Sequence, residues 1–417
     1  MKLKPDLHAQ VDSDGRLILP QEVAYRYGLA PGAKVPINQG VNGMLLWQPV
    51  THLTKVYVEP TNKCNLTFRM CIRNAWDEPL GQMADTTFER VIDGLRSFSP
   101  PPTILFGGFG EPLFHPNIVE MVVKAKALGS KVELITNGTF FSETFPSQLV
   151  KAGLDVLWVS LDGATPESYA DVRLGAEFSK VLVNVARFQD MNLIYQNRFP
   201  HIGIIFVAMK RNIADLPAVM RLGLQLLADR FLVTNVLPYT AEMCAEVLYN
   251  LVLGNVACLP SPWLPHLNLS KMDASEITRE PLYRVTRSWR IENFTKDNVV
   301  SSNNYCPFIE SGFTTICWDG SLSSCPQLIY NHTSFLHERK RFSRCYVVGS
   351  VNEHNLRDLW YAPDCISLRE RVQAFEFPPC TSCGSCDLSE ANEEDCFGNT
   401  FPTCGGCLWA QGVIQYL

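Results

Sequence analysis

"EPTNKCNLTFRMCIRNAW", residues 59–76, follows an apolar run and carries two cysteines seven positions apart. Cys64 and Cys71 bracket a six-residue stretch of mixed polarity, with Phe68 between them. Two thiols on a loop that leaves a strand suit metal binding, since thiolates are strong ligands for soft and borderline cations. What surrounds this loop decides the fold.

Immediately before it, "KVYVEPT" reads as an apolar strand. After it, "TTFERVIDGLRSF" places Phe88, Val91, Ile92 and Leu95 at helical spacing, behind an expected Thr86/Glu89 capping box. "TILFGGFGEP" is the next strand, and "NIVEMVVKAKALG" a helix closed by Gly129. "KVELITNGT", "VLWVSLDG", "HIGIIFVAMK" and "RFLVTNVLPY" are four further strands with helical segments between them. Six β/α units imply a parallel sheet built by right-handed crossovers. About 190 residues is too short for an eight-unit barrel of roughly 250. The fold class expected over residues 53–244 is therefore α/β, a partial (β/α)6 barrel.

Residues 1–52 are expected to form a separate small cap. "VDSDGRLILP" reads as strand, Asp-Gly turn and strand, "PQEVAYRYGLAPG" as a short helix, and "AKVPI" as a further strand. This pattern resembles half of an AbrB-like swapped-hairpin domain, a β-rich fold found in DNA-binding dimers. Five Lys/Arg against four Asp/Glu in residues 1–50 give no basic face, so a structural or dimerising role is favoured over DNA binding. Residues 245–303 are less periodic and read as a connecting or lid region, and residues 304–417 as a cysteine-rich domain with short strands.

Composition narrows the class. The chain of 417 residues is 46% hydrophobic and 19% charged with net charge −6, which gives no nucleic-acid footprint. The start "MKLKPDLHAQ" lacks the apolar core of a signal peptide, and no apolar run spans a bilayer, so a cytoplasmic protein without a membrane partner is expected. Fifteen cysteines, an odd number, eleven of them after residue 300, argue for metal rather than a disulfide framework. Cys₄ sites suit structural zinc as well as iron–sulfur clusters.

The unusual residues fall at the strands' C-terminal ends, where parallel α/β barrels gather their chemistry. Strand one ends in the Cys64–Cys71 loop and strand two in Gly107, Gly108, Gly110 and Glu111. Strand three ends in Asn137 and Gly138, and strand four in Ser160 and Asp162, with Arg173 following. Singly these are common turn signals; their order on successive strands carries the information.

With these residues in place, the chain resembles the radical S-adenosylmethionine (SAM) enzymes. That family's CxxxCxxC loop binds a 4Fe–4S cluster through three cysteines, and SAM chelates the fourth iron. The cluster reduces SAM to methionine and a 5′-deoxyadenosyl radical, which abstracts hydrogen from a substrate. "GGFGEP" resembles the glycine–glutamate motif that receives the SAM ammonium. "VSLDGATPESYADVR" resembles the fourth-strand segment, which implies Ser160 and Arg173 at the SAM carboxylate and Asp162 near the ribose. A planar guanidinium suits a carboxylate. No catalytic residue on the protein is implied, because the radical is the reacting agent.

Further on, Cys306, Gly320 and Cys325 resemble the opening of a SPASM module, which carries auxiliary iron–sulfur clusters. Cys380, Cys383, Cys386, Cys396, Cys404 and Cys407 follow, giving eight thiols, enough for up to two four-thiolate sites. Cys317, Cys345 and Cys365 fall outside this count, though Cys317 is a possible substitute ligand. "CIRNAWDEPLG", the AbrB-like start and "FPTCGGCLWAQGVIQ" resemble a narrower subgroup, linked to maturation of the tungstopterin cofactor of tungsten-containing aldehyde ferredoxin oxidoreductases. That resemblance implies the oxidoreductase or its cofactor as partner, with ferredoxin or flavodoxin as electron donor.

Phe68 stands where the middle cluster cysteine is expected, and an aromatic ring supplies no thiolate. Three readings follow: an altered position in an otherwise intact site, a binding protein that keeps SAM or auxiliary clusters without cleaving SAM, or completion by another thiol such as Cys244 or Cys258. Impaired SAM cleavage is the expectation as the sequence is written. A radical SAM maturase of a ribosomally made peptide is the alternative enzyme.

Overall fold

A computed structural model describes residues 8–40, 43–139, 144–194, 200–250, 266–288, 304–383 and 386–417. Its centre is a ten-stranded sheet. The six expected strands form at Lys55–Val58, Thr103–Phe106, Val132–Thr136, Val156–Ser160, His201–Ala208 and Arg230–Asn235, adjacent in chain order and all parallel. A seventh parallel strand, His266–Leu269, joins the sixth, inside the stretch read as a connection, and the helix Glu276–Ser288 follows it.

At the other edge the first strand pairs in parallel with Phe313–Ile316, which belongs to the cysteine-rich part of the chain. Two antiparallel strands, Ser321–Ser323 and Gly349–Ser350, extend the sheet from there. The barrel and part of the C-terminal region thus share one hydrogen-bonded sheet, while His332–Leu336 and Arg339–Ser343 pair in a separate hairpin.

Strand periodicity sorts the side chains into two cores. Val56, Val58, Ile104, Phe106, Leu134, Leu157, Val159, Ile204 and Val233 pack outward in the core that includes Phe88, Val91, Ile92 and Leu95. The alternate residues Leu105, Trp158, Ile205 and Leu232, with Tyr57 and Ile135, meet on the concave side. Such a meeting requires the sheet to curl.

One local expectation is corrected. The helix Asp85–Leu95 starts after Ala84, which makes no side-chain cap, so Thr86 and Glu89 form no capping box there. Asp85 is already the first helical residue, and Glu89 pairs with Lys124 instead. The glycine stop is found: Gly129 follows Ile118–Ala127 with φ 82°.

At the N-terminus, Gln10–Val11 pairs with Leu17–Ile18, the helix Gln21–Arg26 follows, and Ile37–Gly40 pairs with Gly43–Leu46. These hairpins share no sheet with the barrel among the described residues. Among the described residues no helix is long and apolar enough to cross a membrane.

Candidate cofactor site

Because the strands run parallel, their C-terminal ends share one rim, and the loops singled out in the sequence meet there. The Cys64–Cys71 loop is pinned from three sides. Glu111 N–H donates to Lys63 O at 2.9 Å, Asn137 Nδ2 donates to Asn65 Oδ1 at 2.9 Å, and Arg69 Nε donates to Asp171 O at 2.7 Å. Residues Thr67–Phe68 also form a short antiparallel ladder with Arg173–Leu174, with Phe68 opposite Arg173. Cys64 and Cys71 are half-buried neighbours, and burial is the main cause pushing both thiols up.

Arg173 is almost wholly enclosed. Its Nε donates to Asp162 at 2.7 Å and its Nη2 lies 2.5 Å from the same oxygen. Asp162's other oxygen accepts from Val207 N–H at 2.7 Å. Burial is the largest effect and works against the guanidinium charge, but Asp162, with Tyr169 and Cys64, together outweigh it and raise the Arg173 pKa. The Phe68 ring lies under the guanidinium, 4.3 Å from its carbon, a cation–π contact. The structure therefore brings Phe68, Arg173 and Asp162 into one stack, and Asp162 is committed to Arg173 and Val207. Among the described residues, Arg173 Nη1 is buried with no hydrogen-bond partner. That orphaned donor, with half-buried Ser160 at the end of the fourth strand, is what the rim offers an incoming carboxylate.

The glycines face the protein itself. A Cβ on Gly107 would meet Tyr57, one on Gly108 would meet Glu59, and one on Gly110 would lie 2.3 Å from Thr61 O. Close packing of this turn on the first strand and the cysteine loop explains all three. Glu111 is buried, accepting from Leu113 N–H at 3.1 Å, Thr136 Oγ1 at 2.8 Å and Asn137 N–H at 2.7 Å. Despite those bonds, burial pushes its carboxyl up to about 7.

Sequence reasoning missed Glu59, the residue that anchors the turn. It accepts from Phe109 N–H at 2.9 Å, Cys317 Sγ at 3.3 Å and the Tyr330 hydroxyl. Burial is the first cause raising its pKa. Cys317 is thereby engaged with Glu59 and Tyr330, away from the other cysteines. A carboxylate ending the apolar strand "KVYVE" was the available signal, but its partners lie far along the chain.

The C-terminal thiols divide by place. Cys306, Cys325, Cys404 and Cys407 line one cavity; burial is the first cause pushing each thiol up, and other thiols of the four add to it at Cys306, Cys325 and Cys404. Cys380 has Cys396 and Cys383 as neighbours; Cys383 and Cys396 are exposed and Cys386 half-buried. Cys365 accepts from Arg369 Nη1 at 3.0 Å. Among the described residues no three ligating side chains converge on one point as they stand. The four lining thiols nonetheless fit a four-thiolate cluster in kind and number. The barrel loop does not fit a three-thiolate one: it has two thiols and an aromatic ring. Cys244 opens onto a different cavity beside Tyr249 and His337, and Cys258 lies outside the described residues.

Comparison with known proteins agrees with this architecture. The Radical SAM superfamily model matches residues 58–222, and the SPASM iron–sulfur cluster-binding domain matches residues 306–387. A tungsten-containing aldehyde ferredoxin oxidoreductase cofactor-modifying protein of Pyrococcus furiosus is 28% identical over 371 residues, 86% of this chain and 96% of that protein. A pre-heme d1 synthase of Dinoroseobacter shibae is 24% identical over 377 residues, 86% of this chain and 84% of that one. Among solved structures, Streptococcus suis SuiB bound to S-adenosylmethionine superposes with a TM-score of 0.53 at 16% identity, covering 85% of this chain and 74% of SuiB. The protein anSMEcpe with bound S-adenosylmethionine gives 0.51 at 15% identity, over 87% and 91%. At these identities the two structures show the fold alone. The family's cofactors, SAM and 4Fe–4S clusters, go with the matched domains. From sheet order, rim and domain matches together, this is an enzyme whose barrel carries a radical SAM domain, continued by a SPASM iron–sulfur cluster-binding domain.

Proposed function

We propose that this enzyme modifies or matures the tungstopterin cofactor of a tungsten-containing aldehyde ferredoxin oxidoreductase, and that Phe68 impairs its SAM cleavage. The observation that carries the first part is the similarity to the Pyrococcus furiosus cofactor-modifying protein along nearly the whole of both chains. The second part rests on Phe68 standing where the family's middle cluster cysteine is expected, with its ring against Arg173. When bound and reduced, the barrel cluster of this family supplies the electron that cleaves SAM.

Within that reading the chain's own residues have separate tasks. Arg173 and Ser160 receive the SAM carboxylate, with Asp162 keeping Arg173 charged and aimed. Gly107, Gly108, Gly110, Glu111 and Asn137 hold the turn beside the cysteine loop in shape. Cys306, Cys325, Cys404 and Cys407 hold one auxiliary cluster; Cys380, Cys383, Cys386 and Cys396 are the remaining thiols for a second. The tungsten oxidoreductase or its cofactor is the partner, and a ferredoxin or flavodoxin donates electrons.

The test is anaerobic reconstitution of this chain and of Phe68→Cys, followed by EPR of the reduced proteins with and without SAM. A SAM-perturbed cluster signal in Phe68→Cys alone is expected, with tungstopterin-dependent SAM cleavage appearing in the same variant. Equal perturbation in both proteins would mean that Phe68 does not impair the site. Cleavage in Phe68→Cys that ignores tungstopterin would sink the substrate assignment.

A further inference from the structure

Cys404 and Cys407 are joined by two glycines, each pressed by a different neighbour. A Cβ on Gly405 would lie 2.2 Å from Pro378 O and 3.3 Å from Cys380 Sγ. One on Gly406 would lie 1.8 Å from Arg341 Nη2. The bend between the two thiols therefore stays free of side chains partly so that Arg341 can lie against it.

Arg341 reaches the bend from the strand Arg339–Ser343. Its Nε donates to Ser389 O at 2.7 Å and its Nη1 to Gly406 O at 2.8 Å. The guanidinium lines the same cavity as Cys306, Cys325, Cys404 and Cys407. The neighbouring Arg339 turns toward Glu390, 2.7 Å away. Arg341 forms no salt bridge with a carboxylate among the described residues. A half-buried cation without an anion is costly. Among the described residues lining that cavity, the thiols are the ones that can become anionic.

We propose that Arg341 is the fixed counter-charge of the thiolate site formed by Cys306, Cys325, Cys404 and Cys407, and that it raises the reduction potential of the cluster held there. The inference rests on the iron–sulfur reading of this domain. Adding an electron makes the cluster more negative, so a nearby cation stabilises the reduced form more than the oxidised one. Arg341 acts through the site's electrostatics and is a tuning residue, not a ligand.

The experiment is a potentiometric titration, followed by EPR, of the full reconstituted chain, reading the signal that disappears in Cys404→Ser. Arg341→Gln is expected to move the midpoint to lower potential at unchanged iron content, and Arg341→Lys to bring it back toward the wild-type value. Loss of iron in the glutamine variant alone, with the lysine variant at wild-type potential, supports the same role. An unmoved midpoint in Arg341→Gln overturns the proposal. So does an equal fall in both variants, which would place the effect in the hydrogen bonds to Ser389 and Gly406, or loss of iron from both. Uptake of zinc instead of a cluster by the wild-type chain would overturn the domain reading, and the proposal with it.

Discussion

Glu111 accepts three hydrogen bonds, and burial still pushes its carboxyl up to about 7, above its ordinary 4.5. The folded chain then binds a proton that the unfolded chain releases. The resulting stability is fully present below about pH 4.5 and is lost as the pH rises through 7. A shift of this size corresponds to about 3 kcal/mol. Denaturant midpoints of the metal-free protein are expected to fall across that window, with Glu111→Gln removing this part of the slope while lowering absolute stability. A slope unchanged in Glu111→Gln would show that other groups set it. Asp162 matters as the partner of a buried cation. Asp162→Ala strands the buried Arg173 guanidinium and is expected to cost about 3–5 kcal/mol. A loss below about 1 kcal/mol in chemical denaturation would mean that Arg173 finds water or another partner.

The turn between the second strand, Thr103–Phe106, and the 3-10 helix Pro112–Phe114 shows how one element shapes another. Gly110 has no room for a Cβ, since Thr61 O stands 2.3 Å from where it would lie and Lys63 O 2.6 Å. Both are backbone atoms of the segment leading into Cys64, so Gly110→Ala must displace the cysteine loop. The expected cost is about 1–3 kcal/mol of stability, with weaker retention of any metal by Cys64 and Cys71. A variant equal to wild type in denaturation and iron content would show the loop to be more yielding than its packing suggests. At this scale much was legible in the sequence. Six apolar runs became six strands, because a strand buried on both faces announces itself by hydrophobicity alone. His266–Leu269 escaped, because "HLNL" is four residues long and its strand character comes only from pairing with Arg230–Asn235. The capping box failed because the helix starts one position before the pattern that suggested it. Site residues were found where they are local to a strand end, as with Ser160 and Asp162. They were missed where partners meet across the chain: Glu59 binds Tyr330 at a separation of 271 residues, and no period or spacing encodes that.

Across the whole molecule, the C-terminal region is woven into the barrel. Gln415 N–H donates to Thr234 Oγ1 at 3.0 Å, Asn235 Nδ2 to Val413 O at 2.8 Å, and Lys271 Nζ to Gln411 O at 3.0 Å. Val172, Met209, Val236 and Met243 share a core with Leu408, Val413 and Ile414. With a continuous sheet and shared cores, the described parts from Lys55 onward are expected to unfold in one transition. Coincident denaturation curves from far-UV circular dichroism and tryptophan fluorescence would check this, and two separated transitions would refute it. The pairing of Lys55–Val58 with Phe313–Ile316 reaches beyond equilibrium. On the ribosome the first barrel strand emerges early, yet its second neighbour is made only after the other six parallel strands of the barrel. During that interval, tens of seconds at ~5–20 residues per second, one edge of a buried-type strand stays open to chance pairing with other nascent chains. Translation rate and chaperone supply thus become determinants of how much native enzyme a cell obtains.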